Sequence, residues 1–447
     1  MDSDPLVLLR SRGYVRLLVL AALIGIPVSA ASYGFLKLVS WLQAQLFTEL
    51  PDALGFAAPP VWWPLPLLVV SGLLTGLAIR RLPGTGGHSP ADGFKASGAL
   101  PPVELPGVFL AALATLSFGT VLGPEAPLIL IGSGLGALAV RLAAPQAPPR
   151  ATTVIAAAGS FAAISSLLGS PLVGAFLLLE VAGLGGPMLG VVLVPGLLAA
   201  GVGTLIFVGL NELTGFGTFS LAIGGLPEFG QPTLAMFGWA IAFGLAAPVL
   251  ARAIQLLAVG VRARVEPRMV LLMPVVGALI ALIAIGFGEV SGHAASNVLF
   301  SGQDGLGPLV SGAADWTVVT LLLLVLCKGL AYALSLSSFR GGPVFPAVFI
   351  GAAGGMAAAG LPGLGLVPAV AMGVGAMTVA MLGLPLTSTL LASLLIGADS
   401  LAVMPLVIVA VVVSYVTCAH LAPAPAPAPA TDEPTAATGT RQAVPAG

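Results

Sequence analysis

From Arg16 to His420 the chain runs through one apolar stretch after another. Several are as long as the ~20 residues that a helix needs to cross a bilayer. The interruptions are mostly Gly and Pro rather than charge. In hydrocarbon the backbone has no water to bond, so spanning segments must be helices or closed barrels. Runs of this length point to helices. The composition agrees: of 447 residues 58% are hydrophobic and 7% charged, and the mean hydropathy is +1.09. A water-soluble body of this size would expose one very large apolar patch. The sequence therefore predicts an all-α polytopic membrane protein whose main solvent is the lipid bilayer.

The net charge of −1 and the lack of a basic stripe argue against a nucleic-acid partner. Cys327 and Cys418 lie within apolar runs and read as buried thiols. His88, His293 and His420 are too scattered to build a metal site, and no cofactor motif is present. The N-terminus lacks a cleavable signal pattern.

Basic clusters give the orientation. Arg10, Arg12 and Arg16 precede a first helix, roughly Leu17 to Leu46. Arg80 and Arg81 end a second that begins near Pro64. Arg252, Arg262, Arg264 and Arg268 separate a helix from about Thr233 and another from about Met269. Positive residues stay inside, so both termini are expected in the cytoplasm and the chain in the cell (inner) membrane. The expected organisation is a cytoplasmic segment over 1–15, a transmembrane domain over 16–421, and a tail over 422–447. The tail's Ala-Pro repeats and polar end read as disordered.

Gly and Pro, 59 and 38 in number, often fall where a regular spanning helix would not want them. Broken helices at membrane depth survive only where they line a cavity or are buried in protein. Transporters use them to aim helix ends at a substrate, often in two inverted halves. Such halves would be about 17–210 and 234–420, although no strong letter-by-letter repeat is visible between them.

Glu125 sits in one such break, Gly123-Pro-Glu-Ala-Pro127, between a helix expected to end near Leu122 and another running from about Pro127 to Arg141. A carboxylate at a helix N-terminus meets free amide groups and the positive end of the dipole. A charge at bilayer depth costs ~2.5–3.5 kcal/mol on insertion scales, and one helix end returns only ~0.3–2 kcal/mol. Several N-termini must therefore converge on Glu125. A site that holds a carboxylate in this way also holds a halide, so Glu125 can act as a tethered competitor of a permeant anion.

Two other breaks are of this kind. Gly84-Thr-Gly-Gly-His-Ser-Pro90 precedes a short segment, Ala91 to Leu100, and offers Gly87, His88 and Ser89 as donors. Ser89 suits equally a plain helix cap, and His88 a structural role. Gly341-Gly-Pro-Val-Phe-Pro346 opens a helix expected over Ala347 to Ala359, and its turn can leave amide groups facing an anion. Glu180, closing the run Ala175 to Leu179, reads as a water-facing carboxylate or as a candidate proton path. Lys328 reads as a source of positive potential at the inner vestibule or as a structural partner for a carbonyl or acid.

These residues resemble the CLC family of chloride channels and proton–chloride exchangers. Its motifs G-S-G-I-P, G-(K/R)-E-G-P and G-x-F-x-P have counterparts, in order, at Gly86–Pro90, Gly123–Pro127 and Gly342–Pro346. Ser170-Pro-Leu-Val-Gly174 and Ile350-Gly-Ala-Ala-Gly-Gly355 match as well. The resemblance implies a homodimer with one pore per subunit, two inverted halves, and Glu125 as the external gate. It also makes Gly87, His88, Ser89, Gly123, Pro124, Ala126, Gly342, Val344 and Phe345 the candidate anion-binding positions. The departures bear on mechanism. The filter serine aligns with Gly87, the basic residue before the glutamate is Pro124, and Pro343 brings no N–H where the family has one. The filter phenylalanine aligns with Val344. The exchangers' internal proton-transfer glutamate aligns with Val181, and the family's C-terminal pore tyrosine has no counterpart, Tyr415 lying too early. The expected function is thus passive or weakly proton-coupled movement of chloride or a similar anion. Proton-coupled antiport is the alternative. A non-conducting homologue or an intramembrane enzyme built on Ser89 and His88 are the remaining ones.

Overall fold

The computed structural model describes residues 10–94, 98–183, 187–215 and 221–422. The expectations for most of the 1–15 segment and for the tail concern residues outside these ranges. Among the described residues the protein is helical throughout, and its only extended pairing is a single bridge. Fifteen helices carry the argument, labelled in chain order. In the first half they are α1 (Arg12–Ala44), α2 (Pro64–Arg81), α3 (Leu105–Leu116), α4 (Glu125–Ala143), α5 (Pro149–Leu168), α6 (Pro171–Ala182) and α7 (Pro187–Thr214). In the second they are α8 (Leu234–Val265), α9 (Met269–Ser291), α10 (Gln303–Ser311), α11 (Val318–Ser338), α12 (Val344–Ala358), α13 (Leu366–Leu382), α14 (Pro385–Ile396) and α15 (Ser400–Leu421).

The second half repeats the packing of the first. α4 packs on α5, and α5 on α6 and α7, as α12 packs on α13, and α13 on α14 and α15. α1 closes against α7 as α8 does against α15, while α2 against α9 joins the two halves. In lipid, helices gain little by hiding apolar surface from one another, so small residues that permit close backbone approach decide the interfaces. Gly132 of α4 meets the backbone of Gly159 of α5, and Gly351 of α12 meets that of Gly373 of α13. A side chain at any of the four would collide with the facing carbonyl.

This pairing exposes a sequence repeat. Gly123-Pro-Glu-Ala-Pro127 and Ile131-Gly132 correspond to Gly342-Pro-Val-Phe-Pro346 and Ile350-Gly351. Leu168-Gly-Ser-Pro-Leu172 corresponds to Leu382-Gly-Leu-Pro-Leu386. Gly169 and Gly383 end α5 and α13 in the left-handed conformation, and the prolines open α6 and α14. This agrees with the absence of a strong letter-by-letter repeat. The shared letters are few and scattered, and only the pairing of helices shows which to compare.

Several boundaries move. α1 continues through a π-helical turn, Gln45–Glu49, as far as Ala53. The helix expected to end near Leu122 stops at Leu116, because residues 117–124 leave it to reach the second half. Among the described residues of the expected segment Ala91 to Leu100, the regular structure is a one-turn 3₁₀ helix, Pro90–Asp92, and Ser89 makes no capping bond to it. α12 begins at Val344, earlier than the expected Ala347.

Lys328, fully buried on α11, donates to the carbonyls of Asn297, Val298 and Leu299 at 3.1 Å each and of Phe300 at 3.4 Å. Its ammonium lies 4.3 Å from the Phe349 ring centroid of α12. The cation thus ties the turn before α10 to the second half's core, in the way the structural reading describes.

Candidate anion pathway

The N-termini of α4 and α12 meet at the junction of the halves. The Gly123 N–H donates to Gly342 O at 2.8 Å, and the Gly342 N–H returns a bond to Gly123 O at 2.6 Å. A second reciprocal pair surrounds it. The Val121 N–H donates to Ser335 Oγ of α11 at 3.1 Å, and the Arg340 N–H to Thr115 Oγ1 of α3 at 3.3 Å. Loops that would otherwise leave buried amides unpaired are fixed across the junction.

Two residues beyond the bridge, Glu125 begins α4 and is fully buried. Its Oε1 accepts the Phe345 N–H of α12 at 2.9 Å, and its own N–H and that of Val344 also face the carboxylate. Helix ends from both halves therefore converge on one carboxylate, as the cost of burying it demands. Its Oε2 is buried without a hydrogen-bond partner. That oxygen packs on Gly123 and Gly342, where a Cβ at either would occupy the carboxylate's space. The two glycines contribute room rather than amide donors, because each spends its N–H on the other. This revises the expectation that the turns leave these amides facing an anion.

Tyr332, fully buried on α11, donates its hydroxyl to Pro343 O at 2.7 Å and so pins the residue that caps α12. Nothing in the sequence singled it out. An aromatic in an apolar run reads as core until the fold brings it to the third break.

Next to Glu125, at Ala126, lies a cavity of about 200 Å³, lined in part by His88, Ser89, Ala126, Gly341, Pro343 and Val181. The structure thus brings residues of all three breaks to one space. Gly87, with φ of 91°, supplies the turn beside it. Ser89 Oγ is buried with no hydrogen-bond partner, unlike the capping hydroxyl that was its alternative. Val344 and Phe345 are buried at the first turn of α12, and Pro124 caps α4.

Glu180 is turned away from this space. Its Oε1 accepts the Leu386 N–H at 2.7 Å, and its Oε2 the Thr387 N–H at 2.7 Å and the Thr387 hydroxyl at 2.5 Å. It caps the N-terminus of α14 across the halves, a pairing that the water-facing reading did not foresee. Val181, one residue on, does reach the cavity.

A family model for voltage-gated chloride channels matches residues 72–419. The chain belongs to the CLC family. Among curated proteins it is similar to YfeO of Escherichia fergusonii, for which ion transport is the proposed role. The two are 31% identical over 358 residues, covering 78% of this chain and 80% of that protein. YfeO of Shigella boydii serotype 4 matches at the same identity and coverage. The fold resembles a slow cyanobacterial Cl⁻/H⁺ antiporter, with a TM-score of 0.74 at 21% identity over 91% of this chain and 95% of that one. It also resembles a CLC-type fluoride/proton antiporter, with a TM-score of 0.64 at 19% identity over 90% and 95%. As a CLC-family chain it is a multi-pass membrane protein of two inverted halves, with the breaks at their meeting point.

Proposed function

We propose that the protein conducts small inorganic anions, chloride first among them, through a pore that Glu125 opens and closes. The observation that carries this reading is the Glu125 carboxylate on the Phe345 amide at the mouth of α12. A fixed set of amides that holds one anion serves another when the first departs. The unpartnered Oε2 leaves the carboxylate less than fully satisfied, which favours departure once a proton neutralises it. Ser89 then offers the hydroxyl that Gly87 lacks, at the cavity where the ion would wait. With no amide at Pro343 and the Gly342 amide spent, binding there is weak. Weak binding suits conduction, since an ion must leave as well as enter.

Passive flow is favoured over tight proton coupling. Coupling needs a titratable group on the inner side of the gate. Val181, which reaches the cavity, cannot titrate, and Glu180 is held by three donors. The antiport reading draws its support from the Cl⁻/H⁺ and fluoride/proton antiporters that share the fold. A homodimer in the inner membrane with both termini cytoplasmic completes the proposal. Anion efflux from liposomes containing the purified protein tests it. Efflux above that of empty liposomes is expected, and its absence would favour a non-conducting homologue.

A further inference from the structure

Arg340 precedes the third break and has no role in the gate described above. It is 7% exposed, and an ionised side chain buried in a membrane protein is costly enough to mark a site. Its Nε donates to Thr85 O in the first break at 3.1 Å. Its Nη1 donates to Phe339 O at 3.3 Å and to Ser338 O at 3.5 Å. These acceptors are neutral. Among the described residues no carboxylate forms a salt bridge with it. The acids whose charge reaches it, Asp92 and Glu266, are half-exposed and pair with Arg262. Nη2 makes no hydrogen bond to the described residues.

The guanidinium therefore holds its charge without a contacting carboxylate among the described residues, between the first and third breaks and one residue before Gly341, which lines the cavity. Five N–H donors fan out from a guanidinium in fixed directions. Here carbonyls fix the group through two of its nitrogens and leave the third without an acceptor among the described residues. In a low-dielectric setting such a charge acts on a nearby anion far more strongly than it would in water. Pro124, at the N-terminus of α4, supplies no charge to share the task.

We propose that Arg340 is the fixed positive charge of the anion route, drawing anions to the cavity next to Glu125. The assignment rests on the anion-conduction reading. Its test switches the charge within one folded protein. In a Glu125→Gln background, which removes the gate's own titration, Arg340→His is reconstituted in liposomes and chloride flux is measured on both sides of pH ~6.5, the usual imidazole midpoint. Flux should rise about tenfold as the pH falls and the imidazole gains its charge, equivalent to about 1.4 kcal/mol. A flat profile overturns the assignment. Arg340→Lys, which keeps charge but not the fork to Thr85, should retain flux where Arg340→Gln loses it. Equal losses in both would make Arg340 a staple of the loops only. If Glu125→Gln alone carries no flux, the conduction reading fails and the assignment falls with it. If Glu125→Gln conducts but the His variant ignores pH, only the assignment fails.

Discussion

Gly123 and Gly342 exchange backbone hydrogen bonds across the junction of the two halves, and the Glu125 carboxylate lies against both. The bridge removes two amides from the set that could hold an anion and leaves a notch that fits a carboxylate oxygen. The residues at corresponding places in the repeat, Glu125 and Val344, differ in kind. One half supplies the carboxylate, and the other supplies two of the amides that face it, those of Val344 and Phe345.

Gly342→Ala should therefore push the carboxylate from its notch. Overpacking of this kind costs ~1–3 kcal/mol of stability, so the protein should still insert. Anion flux at neutral pH should rise by about tenfold, equivalent to ~1.4 kcal/mol of lost gate affinity. Liposome efflux measures it. Flux and pH response both equal to wild type would show that the notch does not hold the gate.

Protons should not follow the anion uphill. A chloride gradient imposed across proteoliposomes should drive no sustained proton movement, as followed with a pH-sensitive dye. Glu180→Ala should instead lower the thermal midpoint, because loss of a helix cap costs ~0.5–2 kcal/mol. Steady proton transport at a fixed ratio to chloride, abolished in Glu180→Ala, would reverse the assignment.

What could be read in the sequence was local. Glu125 announced itself because a carboxylate between Gly and Pro, deep in apolar surroundings, needs helix ends to hold it. The starts of α2, α8 and α9 were legible from prolines and arginines. The loop from Ser117 to Pro124 was not, because its bonding partners Ser335 and Gly342 lie in the other half. The same holds for Glu180, whose partners Leu386 and Thr387 cap a helix far along the chain. Tyr332 and Arg340 looked like residues of an apolar run and of a Gly-rich turn until the halves were joined. Composition and spacing report what a residue is beside in the chain, and the site is made of contacts between halves.

Lys328→Met should destabilise without changing selectivity. It leaves four carbonyls without their donor, and a buried polar group left unsatisfied costs ~1–3 kcal/mol. Thermal unfolding followed by gel filtration should show a large drop. A variant of normal stability but altered chloride-to-nitrate preference would return Lys328 to the ion path.

The basic clusters predict sidedness. Single cysteines placed after Ala422 and at Arg262, in a chain lacking Cys327 and Cys418, should be labelled by an impermeant maleimide from the same face of oriented vesicles. Labelling from opposite faces would contradict two cytoplasmic termini.

The central claim is that Glu125 blocks the route as a tethered anion, and chloride efflux as a function of pH tests it most directly. Protonation removes the charge that binds the carboxylate to the Phe345 amide, so wild-type flux should rise as pH falls through the range in which the carboxyl takes up its proton. Glu125→Gln, uncharged at every pH, should conduct at the high level throughout and lose that dependence. A Glu125→Gln protein with wild-type flux and an unchanged pH profile would contradict the account.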